Sequence, residues 1–331
     1  MAPVIPPRID RSSGVDAHAP EGTSPALSSR PTTDGGAPRW YTHRLNRAAV
    51  YHVAAATARL LPRAFRLGFA GFVADRLQRK FPVERAVVRA NLARIAADLT
   101  DEAREALVGA VFRNFAICFA DLLTTNRRGP GDLARLLAAI EGAEHLDTAL
   151  AGTRGVVVLT AHLGNWELAG RLLPLRHARP IHVVVAAEVD PGVERFLRGG
   201  PVPVRFVART HPTAVLSLVA ALRRGEVVAM QGDRALGDRS DVGVRFFGAE
   251  APFPLGPFVL ARATGARVVP AFCVLTRNRR YTIQVGPPMH VGVGGERAAL
   301  TEWVHILESA VRCHPEQWFN FFDVWSPAPA R

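Results

Sequence analysis

The 331-residue sequence predicts an α/β fold with a mostly parallel or mixed central sheet, flanked by helices and preceded by an N-terminal helical region. Two patterns support this prediction. From residue 155 onward, short apolar runs alternate with segments of helical spacing, which is typical of strands connected through helices. Between residues 39 and 150, apolar residues recur at helical spacing.

The strands are predicted from continuous apolar runs. These runs lie at 155–161, 181–187, 202–207, 226–231, 267–275 and 281–285, and helices are predicted between them at 165–173, 212–223 and 257–263. An apolar run without polar alternation indicates a strand that is buried on both faces, as parallel strands usually are. These elements predict an α/β core at residues 151–326.

The chain before this core divides in two. Residues 1–38 are rich in Pro, Gly, Ser and Thr and show little periodicity, so we expect a disordered tail. Residues 39–150 predict a helical region that packs on the core and on the membrane. Thr100 can cap one of its helices, with Asp101 and Glu102 at the positive end of the helix dipole.

One part of this helical region has two interpretations. Within residues 45–79, aliphatic and aromatic side chains crowd around Arg59, Arg63 and Arg66. This pattern fits an interfacial helix whose arginines reach lipid phosphates. It also fits a core helix with a solvated basic face.

The net charge of +12 comes almost wholly from arginine, because Lys80 is the only lysine. A basic surface favours anionic partners such as nucleic acid, anionic lipid or an acidic carrier protein. The arginines are dispersed and accompany no nucleic-acid-binding motif, so no nucleic acid is expected. An anionic membrane surface and an acidic carrier protein are therefore the expected partners.

The cysteines and the hydropathy pattern favour a cytoplasmic location. Cys118, Cys273 and Cys313 are widely separated in apolar contexts, which predicts reduced, buried thiols with neither a metal site nor a disulfide framework. No window of about 18 uncharged apolar residues predicts a spanning helix, and the first residues do not resemble a secretory signal.

The segment from Thr160 to Glu167 combines a histidine and a carboxylate five positions apart. Residues with this spacing in one straight helix do not face each other, so they can meet only if the chain bends between them. Gly164 and Asn165 supply a turn and a possible helix N-cap. His162 is thus predicted at the carboxyl end of a strand, where open α/β sheets bind ligands.

A histidine and a carboxylate in one loop can act as a general base and its orienting group. Neutral His162 could accept a proton from a hydroxyl while Glu167 fixes its tautomer. No Ser or Cys lies in this loop, so the nucleophile would be the substrate's own hydroxyl. The alternative is structural: His162 packs at a strand end and Glu167 is solvated on a helix.

The run His162-Leu-Gly-Asn-Trp-Glu167 resembles the His-x4-Asp/Glu signature of the lysophospholipid acyltransferase superfamily. More narrowly, it is similar to the branch that holds the late lipid A acyltransferases and the mycobacterial phosphatidylinositol-mannoside acyltransferases. Gly232-Asp-Arg234, residues 242–248 and residues 256–270 follow in the order of that branch, and the resemblance covers about residues 45–325. It implies that His162 is the general base and Glu167 its partner.

Further candidate residues bind substrate in this interpretation. Asp233 and Arg234 follow an apolar run and could bind a donor phosphate or orient the acceptor, or else form an internal salt bridge. Arg245 lies in the following segment and could face a phosphate, and Phe247 and Gly248 would add apolar surface beside it.

Two more regions bear on the substrate. The family usually has a functional arginine after the second core strand, and Arg198 and Arg205 are both candidates; Asn165 is assigned to substrate binding with Arg198. Residues 315–318 match the family's Pro-Glu-Gln-Trp/Tyr opening, but the chain then lacks the basic run of the lipid A enzymes, which argues against lipid A as the acceptor.

The sequence therefore predicts an acyltransferase on the cytoplasmic face of the bacterial inner membrane, attached peripherally. It would transfer a fatty acyl group from acyl carrier protein or coenzyme A to a hydroxyl of a lipid or glycolipid, with no cofactor or metal besides the acyl donor. The alternatives are a thioesterase-like hydrolase and a non-catalytic acyl- or lipid-binding protein of the same fold.

Overall fold

The computed structural model describes residues 47–125, 128–175, 177–186, 190–200, 204–237 and 239–326. The helices of this part are α1 (Ala48–Leu60), α2 (Arg63–Leu77), α3 (Pro82–Ile95), α4 (Asp101–Thr125), α5 (Pro130–Ala134), α6 (Ala143–Leu150), α7 (Trp166–Leu172), α8 (Pro191–Arg198), α9 (Ala214–Arg223), α10 (Gly256–Thr264) and α11 (Glu296–Cys313). The strands are β1 (Leu137–Glu141), β2 (Val156–Thr160), β3 (Ile181–Val185), β4 (Val204–Ala208), β5 (Val227–Gln231), β6 (Asp241–Phe246), β7 (Ala249–Pro254), β8 (Arg267–Leu275), β9 (Tyr281–Val285) and β10 (Met289–His290).

The central sheet is mixed and mostly parallel, as the sequence predicts. Its strand order is β1-β9-β8-β2-β5-β3-β4, with β10 added on β8. The strands β2, β3, β4, β5 and β8 pair in parallel, whereas β9 and β10 run antiparallel to β8. A separate hairpin is formed by β6 and β7.

All six predicted strands are present in the described residues, but four further strands were not predicted. The strand β1 lies in the region predicted to be helical, because its sequence Leu-Ala-Ala-Ile-Glu consists mainly of residues that favour a helix. The prolines in β7 also weaken a strand pattern, although an edge strand tolerates them. The predicted tail at 1–38 lies outside the described residues.

Alternate residues of β2 face two different layers of the core. Val157 and Leu159 belong to the large cluster that includes residues of α9, α10 and α11. Val156 and Val158 face the opposite layer, where α6 contributes Leu146 and Ala149. The shorter helices on this second face leave part of the sheet uncovered.

The N-terminal helices are attached to the core through α4 and its buried carboxylate, Asp121. Arg63 donates to this carboxylate over 3.0 and 2.6 Å and Arg66 over 3.3 Å. The Tyr281 hydroxyl of β9 donates to it as well, over 2.8 Å. The prediction that Arg63 and Arg66 reach lipid phosphates is therefore wrong, because both arginines turn inward to neutralise a buried charge.

The helix α4 is long and apolar enough to cross a membrane by length and composition, and among the described helices it is the one that meets this test. Within this fold 44% of its apolar window is buried. Arg113 donates to Asp75 of α2, and Asn114 donates to the Glu316 carbonyl. These contacts identify α4 as a central packing helix of the N-terminal region.

The three cysteines are all free thiols, as predicted. Cys118 and Cys273 are buried, and burial raises the pKa of each thiol. Cys313, predicted to be buried, is exposed at the end of α11. The apolar neighbours of Cys313 in sequence lie on the other face of this helix.

Asp121→Ala should lower the free energy of unfolding by about 3–5 kcal/mol, because it leaves the Arg66 guanidinium buried without its counter-ion. The matched control is Asp75→Ala, which removes another aspartate–arginine pair between α2 and α4, but an exposed one. That change should cost less than about 1 kcal/mol. Urea unfolding followed by circular dichroism measures both, and equal losses would contradict the assignment of Asp121 as the anchor.

Candidate active site

The loop that carries His162 leaves the carboxyl end of β2 and is held from both sides. On one side the Asn165 amide donates to the Cys273 carbonyl over 2.7 Å. On the other side the Gly164 amide donates to the Gln317 carbonyl over 2.9 Å, and the Phe319 amide donates to the His162 carbonyl over 2.8 Å. The backbone under His162 is thus fixed between β8 and the C-terminal segment.

Gly164 is the one position of this loop where only glycine fits. Its φ angle of 61° lies in the left-handed region, and a Cβ atom there would lie 2.1 Å from the Cys273 carbonyl oxygen. A side chain would have to displace backbone of the central sheet. The turn between the histidine and the carboxylate therefore depends on this glycine.

Asn165 caps α7, as the sequence predicts. Its Oδ1 atom accepts from the Leu168 amide over 3.1 Å, and its Nδ2 atom lies 3.5 Å from the Cys118 carbonyl. The residue is buried. The predicted role of Asn165 in substrate binding does not fit this arrangement, because both ends of its amide are taken up by the protein.

His162 is oriented by Asp233, which follows β5 in the sheet. The His162 Nδ1 atom lies 2.7 Å from Asp233 Oδ1, and the His162 amide donates to Oδ2 over 3.1 Å. Since an ionised carboxylate only accepts hydrogen bonds, Nδ1 carries the proton and the lone pair lies on Nε2. The imidazole is partly exposed, and Nε2 has no hydrogen-bond partner among the described residues.

The Asp233 carboxylate is fully buried and receives two further donors from the C-terminal segment. Trp318 Nε1 donates to Oδ2 over 3.1 Å and Asn320 Nδ2 donates over 3.2 Å. Four donors around one carboxylate leave it little freedom to move. Asp233 therefore fixes both the position and the tautomer of His162.

The charges of this pair are set by burial and by Arg234. Burial and the neighbouring Arg234 charge lower the pKa of His162, and Asp233 opposes them. Burial raises the pKa of the Asp233 carboxyl, but His162 and Arg234 outweigh this effect and hold that pKa well below its usual range. The pair is thus a neutral imidazole beside an ionised carboxylate, which suits a general base.

Glu167 does not orient His162, contrary to the sequence prediction. It lies in the first turn of α7, where its Oε1 atom is 3.6 Å from Arg198 Nη1 of α8. Among the described residues it makes no hydrogen bond to the His162 ring. Its charge still raises the pKa of His162, as the smallest of the effects described for that ring.

Of the two candidate arginines, the structure brings Arg198 to the site. Besides Glu167, Arg198 contacts Glu194 over 3.3 Å and lies over the Phe206 ring at 5.1 Å. Arg205 is exposed on β4 instead. Arg198 is therefore a half-buried cation beside the histidine loop.

Arg234 is used inside the protein. Its Nε atom donates to Asn320 Oδ1 over 2.7 Å, and Nη2 donates to the Phe319 carbonyl over 2.8 Å. The predicted contact of Arg234 with a donor phosphate is not supported by this geometry, and neither is a salt bridge with the adjacent Asp233. The guanidinium instead holds the C-terminal segment against the site.

Arg245, Phe247 and Gly248 lie on the β6–β7 hairpin and are not among the contacts of His162, Asp233 or Glu167. Phe247 and Gly248 form its two-residue turn with φ angles of 46° and 79°. The Phe247 amide donates to Glu308 of α11 over 3.1 Å. Arg245 lines a separate surface pocket with α11, so these three predicted substrate contacts do not meet at the base.

An apolar groove lies beside the histidine loop, on the sheet face that α6 and α7 cover incompletely. It is partly open to solvent and is lined almost entirely by apolar side chains. Its wall includes Ile140, Thr160, Val183, Ala229, Ala271 and Val285, from six neighbouring strands. Five interstrand spacings of about 4.8 Å make it roughly 24 Å long.

This groove reaches the base. Thr160 precedes His162 by two residues, and Trp166, which also lines the groove, packs its ring edge-on to the His162 ring at 4.9 Å. The groove therefore extends to the residues on either side of His162. No group of three or more potential metal ligands occurs among the described residues.

Two parts of the site were missed from the sequence: the orienting role of Asp233 and its support by Trp318 and Asn320. Asp233 was noted as a polar residue after a strand, but its partner could be found only from strand order, since β5 lies beside β2. Trp318 and Asn320 follow the last helix and carry no local pattern that indicates their contacts.

The family described as bacterial lipid A biosynthesis acyltransferase matches residues 41–326. A phosphatidylinositol mannoside acyltransferase of Mycobacterium tuberculosis is 33% identical over 62% of this chain and 64% of its own length, which is less than two thirds of that relative. Another of Mycolicibacterium smegmatis is 25% identical over 81% of this chain and 87% of its own. The lipid A biosynthesis palmitoleoyltransferase of Escherichia coli is 25% identical over 70% and 75%.

Titration of His162 by ¹⁵N NMR should give a pKa below the ordinary value of about 6.5, with the neutral ring protonated on Nδ1. Asp233→Asn removes the charge that most favours the imidazolium, so the pKa should fall further. Glu167→Gln should lower it less, because its charge acts more weakly on the ring. A larger shift in Glu167→Gln than in Asp233→Asn would contradict the assignment of Asp233 as the orienting group.

Proposed function

Because the chain belongs to the bacterial lipid A biosynthesis acyltransferase family, we propose that it transfers a fatty acyl group from a thioester to a hydroxyl of a lipid or glycolipid. The thioester would be acyl carrier protein or coenzyme A. The observation that carries the proposal is the hydrogen-bonded His162–Asp233 pair beside an apolar groove.

His162 acts as the general base in this proposal. Nε2 takes the proton of the acceptor hydroxyl as its oxygen attacks the thioester carbonyl carbon. The tetrahedral intermediate then collapses, the carbon–sulfur bond breaks, and the leaving thiolate takes the proton from Nε2. Asp233 stabilises the imidazolium between these two steps, and no acyl-enzyme is formed.

Glu167 acts through Arg198 in this scheme. The ion pair keeps a guanidinium beside the base, where it could bind a phosphate of the donor or of the acceptor headgroup. Arg198 lies between Glu167 and Glu194, and these two contacts fix the position of its guanidinium. Glu167 is thus proposed as a positioning residue.

The relatives support a lipid acceptor with a polar headgroup, but do not single one out. Two of them are phosphatidylinositol mannoside acyltransferases and one acts in lipid A biosynthesis. Asn320 lies in the segment where the lipid A enzymes carry a basic run. In this chain Asn320 hydrogen-bonds Asp233 and Arg234, so the segment supports His162 and its partner. We infer a glycolipid acceptor other than lipid A, reached peripherally from the cytoplasmic face of the bacterial inner membrane.

His162→Ala should lower the rate of acyl transfer by about 10²–10⁴-fold with the fold intact, because it removes the base. Glu167→Ala should keep measurable activity, since Asp233 still orients His162. The control is His305→Ala on the exposed face of α11, which should match the wild type. Near wild-type turnover by His162→Ala would overturn the mechanism.

The assay uses a labelled acyl thioester and a membrane lipid extract, and follows both acylated lipid and free fatty acid. Acylated lipid as the main product supports transfer. Free fatty acid alone would indicate a thioesterase-like hydrolase. Binding without either product would indicate a non-catalytic protein of the same fold.

Ala271→Phe should shift the preferred acyl chain toward shorter donors, because the new ring fills the groove where β8 crosses it. The control Ala298→Phe adds the same ring on the exposed face of α11 and should leave the preference unchanged. The measurement compares rates for donors of graded chain length. An unchanged preference in Ala271→Phe would mean that the acyl chain does not occupy this groove.

A further inference from the structure

The helix α2 has the polarity of its faces reversed. Arg66 is buried with 6% of its surface exposed, whereas Phe65, Phe69 and Phe72 are 62%, 56% and 54% exposed. A helix on a water-exposed surface normally turns its apolar residues inward and its charges outward. Three exposed phenylalanines on one helix therefore indicate a surface that something apolar covers.

The three rings form one stripe. At about 100° per residue, Phe65, Phe69 and Phe72 lie within about 60° of each other on the helix circumference. The buried Leu67 and Ala74 lie on the opposite side. The stripe thus points directly away from α4, against which α2 packs.

The anchor at Asp121 keeps the stripe outside. Rotating α2 to bury the phenylalanines would pull Arg63 and Arg66 away from Asp121, which has no surface exposure. Leaving that carboxylate buried without its partners costs several kcal/mol. The exposure of the rings is therefore built into the packing of α2.

The surroundings of the stripe are basic. Arg76 continues the stripe, with its guanidinium 4.7 Å over the Phe72 ring, and Arg59, Arg79 and Lys80 are exposed nearby in sequence. Within residues 47–80 the sequence holds one carboxylate, Asp75, and Arg113 binds it. An apolar centre with a basic rim fits an anionic bilayer, in which rings enter the interface and cations bind lipid phosphates.

We propose that this face of α2, defined by Phe65, Phe69, Phe72 and Arg76, is the surface by which the protein docks on an anionic membrane. A second copy of the chain fits the same face less well, because two basic rims would face each other. The proposal makes the anionic membrane the partner of the proposed acyl transfer. It rests on that proposed function only for the claim that the acceptor lies in the bilayer.

The docking surface is also connected to the catalytic loop through buried polar groups. Asp121 of α4 binds α2, and the Cys118 carbonyl of the same helix lies 3.5 Å from the side-chain amide of Asn165, which caps α7. The chain of contacts runs from the docking helix to the residue three positions after His162. Docking would therefore fix the orientation of the base relative to the lipid surface.

The test uses the full chain and vesicles of phosphatidylcholine with and without phosphatidylglycerol. The triple variant Phe65→Ser/Phe69→Ser/Phe72→Ser should bind anionic vesicles at least tenfold more weakly in co-sedimentation. A matched control, Val215→Ser/Leu216→Ser/Val293→Ser, removes three other exposed apolar side chains and should bind as the wild type does. Thermal unfolding by circular dichroism verifies that both variants fold.

Three results would overturn the proposal. They are wild-type binding by the phenylalanine variant, equal binding of the wild type to neutral and anionic vesicles, and a wild-type dimer that the phenylalanine variant converts to a monomer. Each is measured without an acyl donor. The binding result is therefore independent of whether acyl transfer occurs.

Activity distinguishes docking from catalysis. With the acceptor in anionic vesicles, the phenylalanine variant should lose at least tenfold in rate. With the acceptor dispersed in detergent micelles, it should match the wild type, because its base is intact. A loss in micelles as well would show that the stripe acts in the reaction itself and would contradict the docking role.

Discussion

The carboxylate of Asp233 joins three segments that are distant in sequence. It follows β5, receives two hydrogen bonds from His162 after β2, and receives two more from Trp318 and Asn320 near the end of the chain. Placing a charge in the interior is unfavourable unless its hydrogen bonds are complete. The same four bonds that make this charge tolerable fix the imidazole, so stability and reactivity have one origin here.

Asp121 of α4 repeats this arrangement. One buried carboxylate gathers Arg63, Arg66 and Tyr281, and thereby attaches a surface helix to the central sheet. Arg63, Arg66 and Arg234 all donate to groups inside the protein, so part of the positive charge behind the net charge of +12 is not presented on the surface. Arginine thus serves this protein as an internal cross-link as well as a surface charge.

The sequence predicted much of the fold because its central strands are buried on both faces and therefore stand out as apolar runs. The strands β6 and β7 escaped prediction because they lie outside the main sheet, where alternation with polar residues and proline hides them. The edge strand β1 escaped because its leucine and alanine residues favour a helix. His162, its loop and the cap at Asn165 were predicted because the relevant contacts are local. The partner of His162 was not, because Glu167 is near in sequence whereas Asp233 is near only in space.

The path of the groove across the strands has a consequence for comparing such enzymes. Its wall takes side chains from positions as far apart as Ile140 and Val285, and only Trp166 among them belongs to the segment from His162 to Glu167. Each strand contributes a few small contacts, so the dimensions of the groove are a property of the whole sheet. Two proteins could share every residue around the base and still select different fatty acids, and no short signature would reveal the difference.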